Sequence, residues 1–308
     1  MMSLLVVGTV AFDKIETPFG KTDKILGGAA TFIGMAASML DVKTGIVSVI
    51  GDDFPDEHID LMESKNLDLA GVEKVEGGKT FYWSGRYHND MNSRDTLVTE
   101  LNVLENFQPE VPVGWRKPEV LMLGNLHPLV QKSVLNQLEE RPKLVILDTM
   151  NFWMDLTWDE LMDVLKDVDV LTINDEEARQ MSKEYSLVKA AKKILEMGPH
   201  TLIIKKGEHG ALLFHENNVF FAPALPLEDV FDPTGAGDTF AGGFSGFLAK
   251  TKNYSFENMK RAIIYGSALA SFTVEKFGTD RLAELTDEDL VERLDIFKSL
   301  TNFDIELD

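Results

Sequence analysis

The chemistry in this chain concentrates in one string, Asp232-Pro233-Thr234-Gly235-Ala236-Gly237-Asp238, which runs straight into Thr239-Phe240-Ala241-Gly242-Gly243-Phe244. Small residues let the backbone of Gly235, Ala236 and Gly237 turn so that several N–H groups point one way, just where an apolar-periodic helix begins. A helix start gathers unpaired donors and the positive end of the dipole, so the spot attracts phosphate oxygens. Asp238 is out of place in a simple anion hole, because its charge repels phosphate. It fits if the carboxylate takes a proton from a hydroxyl while the amides stabilise charge on a phosphoryl group in transfer. The competing reading makes Asp238 a helix cap and the glycines a turn.

Such a string needs a scaffold. Short apolar runs recur at Leu4 to Val7, Gly45 to Ile50, Val120 to Leu123, Leu144 to Leu147, Val168 to Ile173 and Leu202 to Ile204. Helix-length amphipathic stretches lie between them: Ala29 to Leu40, Pro55 to Asn66, Leu129 to Glu140, Glu177 to Met181, Leu187 to Met197 and Ala236 to Lys250. Strands alternating with helices predict an α/β fold with a mostly parallel central sheet flanked by helices on both faces. Its 308 residues contain no polar linker and no repeat of fixed period, so one domain over 1–308 is expected. From Lys79 to Leu104 the rhythm breaks: Phe81, Tyr82, Trp83, Arg86 and Tyr87 are followed by an Asn/Asp/Ser-rich patch and by Thr96, Val98 and Thr99. Two strands and a loop are expected there, either a small β lid over the carboxyl ends of the sheet or a hairpin that only packs on the body or on a second subunit.

Composition narrows the partners. A net charge of −21 should repel nucleic acid and anionic membranes. The absence of cysteine excludes a disulfide scaffold, a thiol nucleophile and a thiolate zinc site, and agrees with a reducing cytoplasm. Leu4 to Val7 is too short for a signal-peptide core, and no apolar run approaches a membrane span. A cytoplasmic protein is expected.

With its string Asp232 to Asp238 and other pieces in order along the chain, the sequence resembles the ribokinase-like, or PfkB, family of carbohydrate and nucleoside kinases. Gly8-Thr9-Val10-Ala11-Phe12-Asp13 is similar to the segment whose aspartate binds substrate hydroxyls, and Gly27-Gly28-Ala29-Ala30-Thr31 to the family's di-glycine signature. Thr31 stands where the family commonly has an asparagine that contacts the sugar. Asn174-Asp175-Glu176-Glu177 fits an Asn-x-x-Glu element implicated in holding magnesium and phosphate; an acidic helix start explains it too. Ile204 to Ala211 resembles the nucleotide-binding turn, in which Lys205 or Lys206 would neutralise ATP phosphates and Gly207 and Gly210 would allow close approach. Exposed lysines at a strand end are the plainer alternative. Small residues around Gly266 and Ser267 would leave room for adenine, or would simply let helices pack.

The resemblance implies a ribokinase-like fold, with a small β lid drawn from about 13–26 and 79–104. It implies an ATP- and Mg²⁺-dependent phosphotransferase acting on a hydroxymethyl group of a sugar, or of a nucleoside. Asp13, Gly27, Gly28 and Thr31 would hold the acceptor, Asp238 would be the base, and Gly235, Ala236 and Gly237 the anion hole. Glu177 would bear on Mg²⁺, Asn174 on the nucleotide, and Asp232 and Thr234 on a monovalent cation such as potassium. A sugar is the leading acceptor, with a nucleoside as the alternative because the lid aromatics Phe81, Tyr82, Trp83 and Tyr87 could stack on a nucleobase; a homodimer through the lid is open; a non-catalytic nucleotide or sugar sensor is disfavoured by the retained Asp238. Asp148, at a strand end, is read either as a holder of metal-bound water or as a cap. Glu76 to Thr80 mimics a P-loop ending but has Glu73 where a glycine is required.

Overall fold

In the computed structural model, which describes residues 3–302, strands and helices alternate as expected. Of the expected 1–308 unit, residues 1–2 and 303–308 lie outside the described residues. In chain order the strands are β1 (Ser3–Val7), β2 (Ala11–Thr17), β3 (Gly20–Lys21), β4 (Ile25–Gly27), β5 (Lys43–Gly51), β6 (Leu67–Val75) and β7 (Tyr82–Tyr87). They continue with β8 (Arg94–Glu100), β9 (Val120–Leu123), β10 (Leu144–Asp148), β11 (Val170–Asn174), β12 (Thr201–Lys205), β13 (Ala211–His215) and β14 (Asn218–Ala222).

A nine-stranded sheet runs β14-β13-β12-β11-β10-β9-β1-β5-β6. Every pairing from β12 to β6 is parallel, and only β13 and β14 turn antiparallel. Central parallel strands are covered on both faces, and their sequences show it. In β1, Leu4 and Val6 enter a core shared with Phe32, Ile33, Phe244 and Leu269. Leu5 and Val7 enter the opposite core, with Leu161, Val164 and Ile194. The chain leaves β1 toward β5 and β6, then returns to place β9 on the other side of β1, which puts a topological switch at the middle of the sheet.

The helix Ala236–Thr251 lies close against two others because its glycines bare the backbone. A Cβ at Gly242 would stand 2.3 Å from the Ile33 carbonyl oxygen, and one at Gly243 would stand 2.8 Å from Gly266 Cα. Gly266 therefore serves helix packing. The two sheet edges are among the strands that the sequence reading does not name. β6 carries Asp68, Glu73 and Lys74, charge that deters pairing with other chains and hides the apolar pattern of a strand. β14 is a short, largely apolar strand whose Val219 and Phe221 are exposed.

A second, five-stranded sheet runs β3-β2-β7-β8, with β4 also paired to β2. β2 and β7 are parallel, aligning Asp13 with Trp83, and β7 and β8 are antiparallel, aligning Tyr87 with Arg94.

Candidate active site

Three neighbouring parallel strands end in polar side chains: β10 in Asp148, β11 in Asn174 and β12 in Lys205. Lys205 Nζ lies 2.7 Å from Asp148 Oδ2, with both side chains largely buried. Burial favours the neutral form of each, but Asp148 and then Glu177 outweigh it at Lys205 and hold the ammonium charged, while Lys205 pulls Asp148 back toward ionisation. Glu177 arrives through a capping box. Its Oε2 accepts the Asn174 N–H at 2.8 Å, and Asn174 Oδ1 accepts the Glu177 N–H at 2.8 Å. That box starts the helix at Asp175, two residues before the expected start. Burial, reinforced by Asp148, raises Glu177 to about 7.

Above this floor the glycine string caps its helix as predicted. Gly235 sits at φ 75°, and a Cβ there would strike the Phe32 ring at 2.5 Å, so only glycine fits. Among the described residues the amides of Gly235, Gly237 and Asp238 find no backbone acceptor, whereas the Ala236 N–H already reaches the Pro233 carbonyl at 3.2 Å. The open donors are thus two glycines and Asp238 itself. Lys205 Nζ approaches the same turn: a Cβ on Gly237 would be 3.2 Å from it. Asp238 is the third residue of the helix and its carboxylate caps nothing among the described residues. Burial, then Asp148, raises it to about 7 against the pull of Lys205 and Arg94.

Asp232 is fully buried and ties the string in place, accepting the Thr234 N–H and the Gly278 N–H, each at 2.9 Å. No Lys or Arg pairs with it among the described residues, and burial raises its carboxyl above the ordinary value. The Thr234 hydroxyl donates to Tyr87 Oη at 3.1 Å, joining the string to the small sheet.

Asp13 faces the string from β2. Its carboxylate lies across Gly27, where a Cβ would stand 2.0 Å from Oδ2, and the Gly28 amide is directed at it. Burial, then Asp232 and Asp238, raises Asp13 to about 7. Trp83, beside Asp13, folds its indole across Gly85 and donates to Thr96 Oγ1 at 3.3 Å. Asn92, in the loop before β8, reaches the turn after β12: a Cβ on Gly207 would be 2.7 Å from its Oδ1.

The structure thus brings Asp13, Gly27, Gly28, Glu177, Lys205, Gly235, Gly237 and Asp238 to one place. Other sequence-predicted residues take different parts. Thr31 is fully covered, with a hydroxyl that has no partner among the described residues, so no acceptor reaches it in this arrangement. Lys206 turns its ammonium toward the Phe221 ring, 5.9 Å away, leaving Lys205 as the lysine of the cluster. Gly210 is glycine because a Cβ would stand 2.0 Å from the Ala222 carbonyl oxygen. Ser267 is half-buried on the helix Phe256–Thr273 without a hydrogen bond among the described residues. The Asp148–Lys205 pair and the Tyr87–Thr234 link have no sequence signature beyond residue type.

A profile of the pfkB family carbohydrate kinases matches residues 3–285. The chain is 32% identical to a cytidine kinase of Thermococcus kodakarensis, over 79% of this chain and 87% of that one. It is 24% identical to a ribokinase of Staphylococcus aureus, over 91% and 90% of the two chains. The crystal structure of a Methanocaldococcus jannaschii nucleoside kinase superposes with a TM-score of 0.77 at 21% identity, covering 96% of this chain and 99% of that one. The fold is therefore the ribokinase-like α/β fold. The chain belongs to the pfkB carbohydrate kinase family, and it is an ATP-using phosphotransferase whose acceptor is an alcohol group of a sugar or nucleoside.

Proposed function

We propose that this kinase phosphorylates the hydroxymethyl group of a ribonucleoside, with Asp238 as the general base. The observation that carries the base assignment is an uncapped carboxylate held near neutrality beside open amides and Lys205. A base whose pKa lies near working pH serves proton transfer best. Asp238 takes the acceptor proton as the oxygen–phosphorus bond forms and the bond to the ADP oxygen breaks. The Gly235 and Gly237 amides and Lys205 receive the charge on the phosphoryl oxygens. Asp13, with Gly27 and Gly28 beneath it, binds the other hydroxyls of the acceptor.

The base-bearing acceptor follows from Trp83, whose indole lies next to Asp13 on the inner face of the small sheet. A plain sugar remains the second reading, favoured by the Asp13 carboxylate alone and by similarity to ribokinase. Magnesium fits the floor: Asp148 and Glu177 face a single Lys205, which leaves negative charge uncompensated. No group of three or more ligating His, Asp or Glu side chains occurs among the described residues, so water and phosphate would supply most ligands. When bound, the ion neutralises charge on the nucleotide phosphates. A monovalent cation against Asp232, a small sheet acting as lid of one domain, a cytoplasmic setting and a homodimer along the exposed edge of β8 belong to the same reading. Among the described residues no helix is long and apolar enough to cross a membrane.

A coupled turnover assay with ATP against cytidine, other ribonucleosides, ribose and fructose 6-phosphate tests the acceptor. Ribonucleosides should give the highest kcat/KM; preference for ribose would return the reading to a sugar kinase. Asp238→Asn should lower kcat by about 10²–10⁴ with the fold intact, and wild-type turnover in that variant would remove Asp238 as the base.

A further inference from the structure

The string Asp232 to Asp238 is held at both ends by one other segment of chain. Where the helix Phe256–Thr273 ends, the Val274 carbonyl accepts the Phe231 N–H at 2.8 Å and the Asp232 N–H at 3.4 Å. Gly278 donates its N–H to Asp232 Oδ2 at 2.9 Å, from a left-handed φ of 56° that favours glycine. At the far end of the string, the buried Thr273 hydroxyl donates at 2.8 Å to the hydroxyl of Thr239, the residue after Asp238. Residues 273–278 therefore support the whole turn that carries Gly235, Gly237 and Asp238.

Glu275, in the middle of that segment, fixes it in turn. Its Oε1 accepts from Arg293 Nη2 at 2.6 Å and its Oε2 from Arg281 Nε at 3.0 Å, so both carboxylate oxygens are held. Arg293 comes from the helix Asp287–Thr301. It also donates to the Ser271 hydroxyl at 2.7 Å, and its guanidinium lies 3.7 Å from the centre of the buried Phe272 ring. Arg281 is tied to Asp289 of the same helix at 3.1 Å. Ion pairs such as Lys117–Glu140 and Lys276–Glu284 lie in water and hold little. The Arg293 side chain is only 12% exposed, and its planar fork spans the last turn of one helix and the chain just beyond its end. A pair so placed sets the direction in which the chain leaves the helix. Leu290 and Phe297 already bury the apolar side of Asp287–Thr301 in the core, so the arginine adds direction more than adhesion.

We propose that Arg293 is a positioning residue for phosphoryl transfer: through Glu275 it fixes residues 273–278, and through them the amides of Gly235 and Gly237 and the Asp238 carboxylate. This rests on the reading of that turn as base and anion hole. Such groups must stand within about 0.5 Å of their productive places, so a loosened support costs rate before it costs fold.

Steady-state kinetics with ATP and cytidine, or ribose if the acceptor assay selects it, run well below every variant's thermal midpoint, decide the matter. Arg293→Ala should lower kcat about tenfold with both KM values close to wild type, since the interactions it disturbs belong to the transition state. Arg293→Lys keeps a charge beside Glu275 but not the fork, and should recover part of the loss. Glu275→Gln should lower kcat by a similar factor, and the double variant should lose little more than either single one. Arg293→Lys and Glu275→Gln carry the test if Arg293→Ala does not fold. Phe297→Leu is the control for mere loosening: it should lower the midpoint while kcat stays at wild type. Wild-type kcat in the folded Arg293 and Glu275 variants, an equal loss of kcat in Phe297→Leu, or additive losses in the double variant overturn the proposal. If Asp238→Asn is impaired and the Arg293 variants are not, only Arg293 loses its role; if Asp238→Asn also turns over as wild type, the reading of the turn falls with it.

Discussion

The floor and the roof of this site are built on opposite rules. On the floor, Asp148 and Lys205 form a buried pair at the ends of parallel strands, and a capping box secures Glu177. In the roof, Phe12 and Leu26 anchor the base in the main core, but every residue of β8 is exposed, and the outer part meets the body through contacts such as Tyr87 on Thr234, Asn92 on Gly207 and the Phe19 ring on Phe231 at 5.0 Å. A floor of this kind is preorganised at the expense of stability, because ionic groups held out of water need one another. An outer hairpin so exposed can detach and return. Substrate must enter somewhere, and the roof is where little is lost by opening.

The largest effect should come from breaking the floor. Lys205→Met leaves Asp148 buried without its partner and should destabilise the fold by about 3 kcal/mol. It should also lower kcat by about 10²–10³, since it removes a charge from beside the Gly237 amide. Adding Asp148→Leu should return most of the stability and none of the activity, as read by chemical denaturation and turnover together. If Lys205→Met were as stable as wild type, the floor would be no more rigid than the roof.

The division also decides what sequence alone reveals. Central strands such as β1 and β9 announce themselves because burial on both faces leaves a continuous apolar run. The edge β6 does not, since one side meets water and charged residues interrupt its pattern; the edge β14 is apolar but only five residues long. In the site, Gly235 to Asp238 is legible because turn, helix start and carboxylate are adjacent in the chain. Lys205 and Asp148 are 57 residues apart, and Tyr87 and Thr234 are 147 apart. Such contacts follow from strand order, which no local pattern encodes. For the same reason Thr31 looked accessible: its place beside Gly27 and Gly28 is local, while its cover is tertiary.

A middle-sized effect separates the base from its surroundings through pH. Asp238 ionises at about 7 in the folded chain against an ordinary 3.8, so between those values the folded state holds a proton that the unfolded state lacks. The stability this group contributes is therefore full at low pH and is lost as pH rises through about 7. Asp238→Asn removes the buried charge, so its thermal midpoint should exceed wild type at pH 8 and converge on it toward pH 4. Asp148, Lys205 and Arg94 share the site, and Asp13 will titrate at lower pH once Asp238 is neutral. A variant with the same midpoint as wild type at pH 8 would mean that water reaches the carboxylate freely and that its pKa is ordinary. Wild-type kcat should fall as pH drops below about 7, opposite in sign to the stability change.

The smallest effect belongs to the roof. Tyr87→Phe keeps the ring in its buried place and removes only the acceptor of the Thr234 hydroxyl, a loss of about 1 kcal/mol. Because that bond joins roof to body rather than strand to strand, it should leave the thermal midpoint almost unchanged and appear as a roughly fivefold lower kcat/KM. An effect on kcat/KM without an effect on unfolding is the signature of a contact made only when the roof is seated. Should Tyr87→Phe lower the midpoint as far as Lys205→Met does, the two sheets would unfold as one unit. The roof would then be a fixed wall of the site, present whether or not substrate is bound.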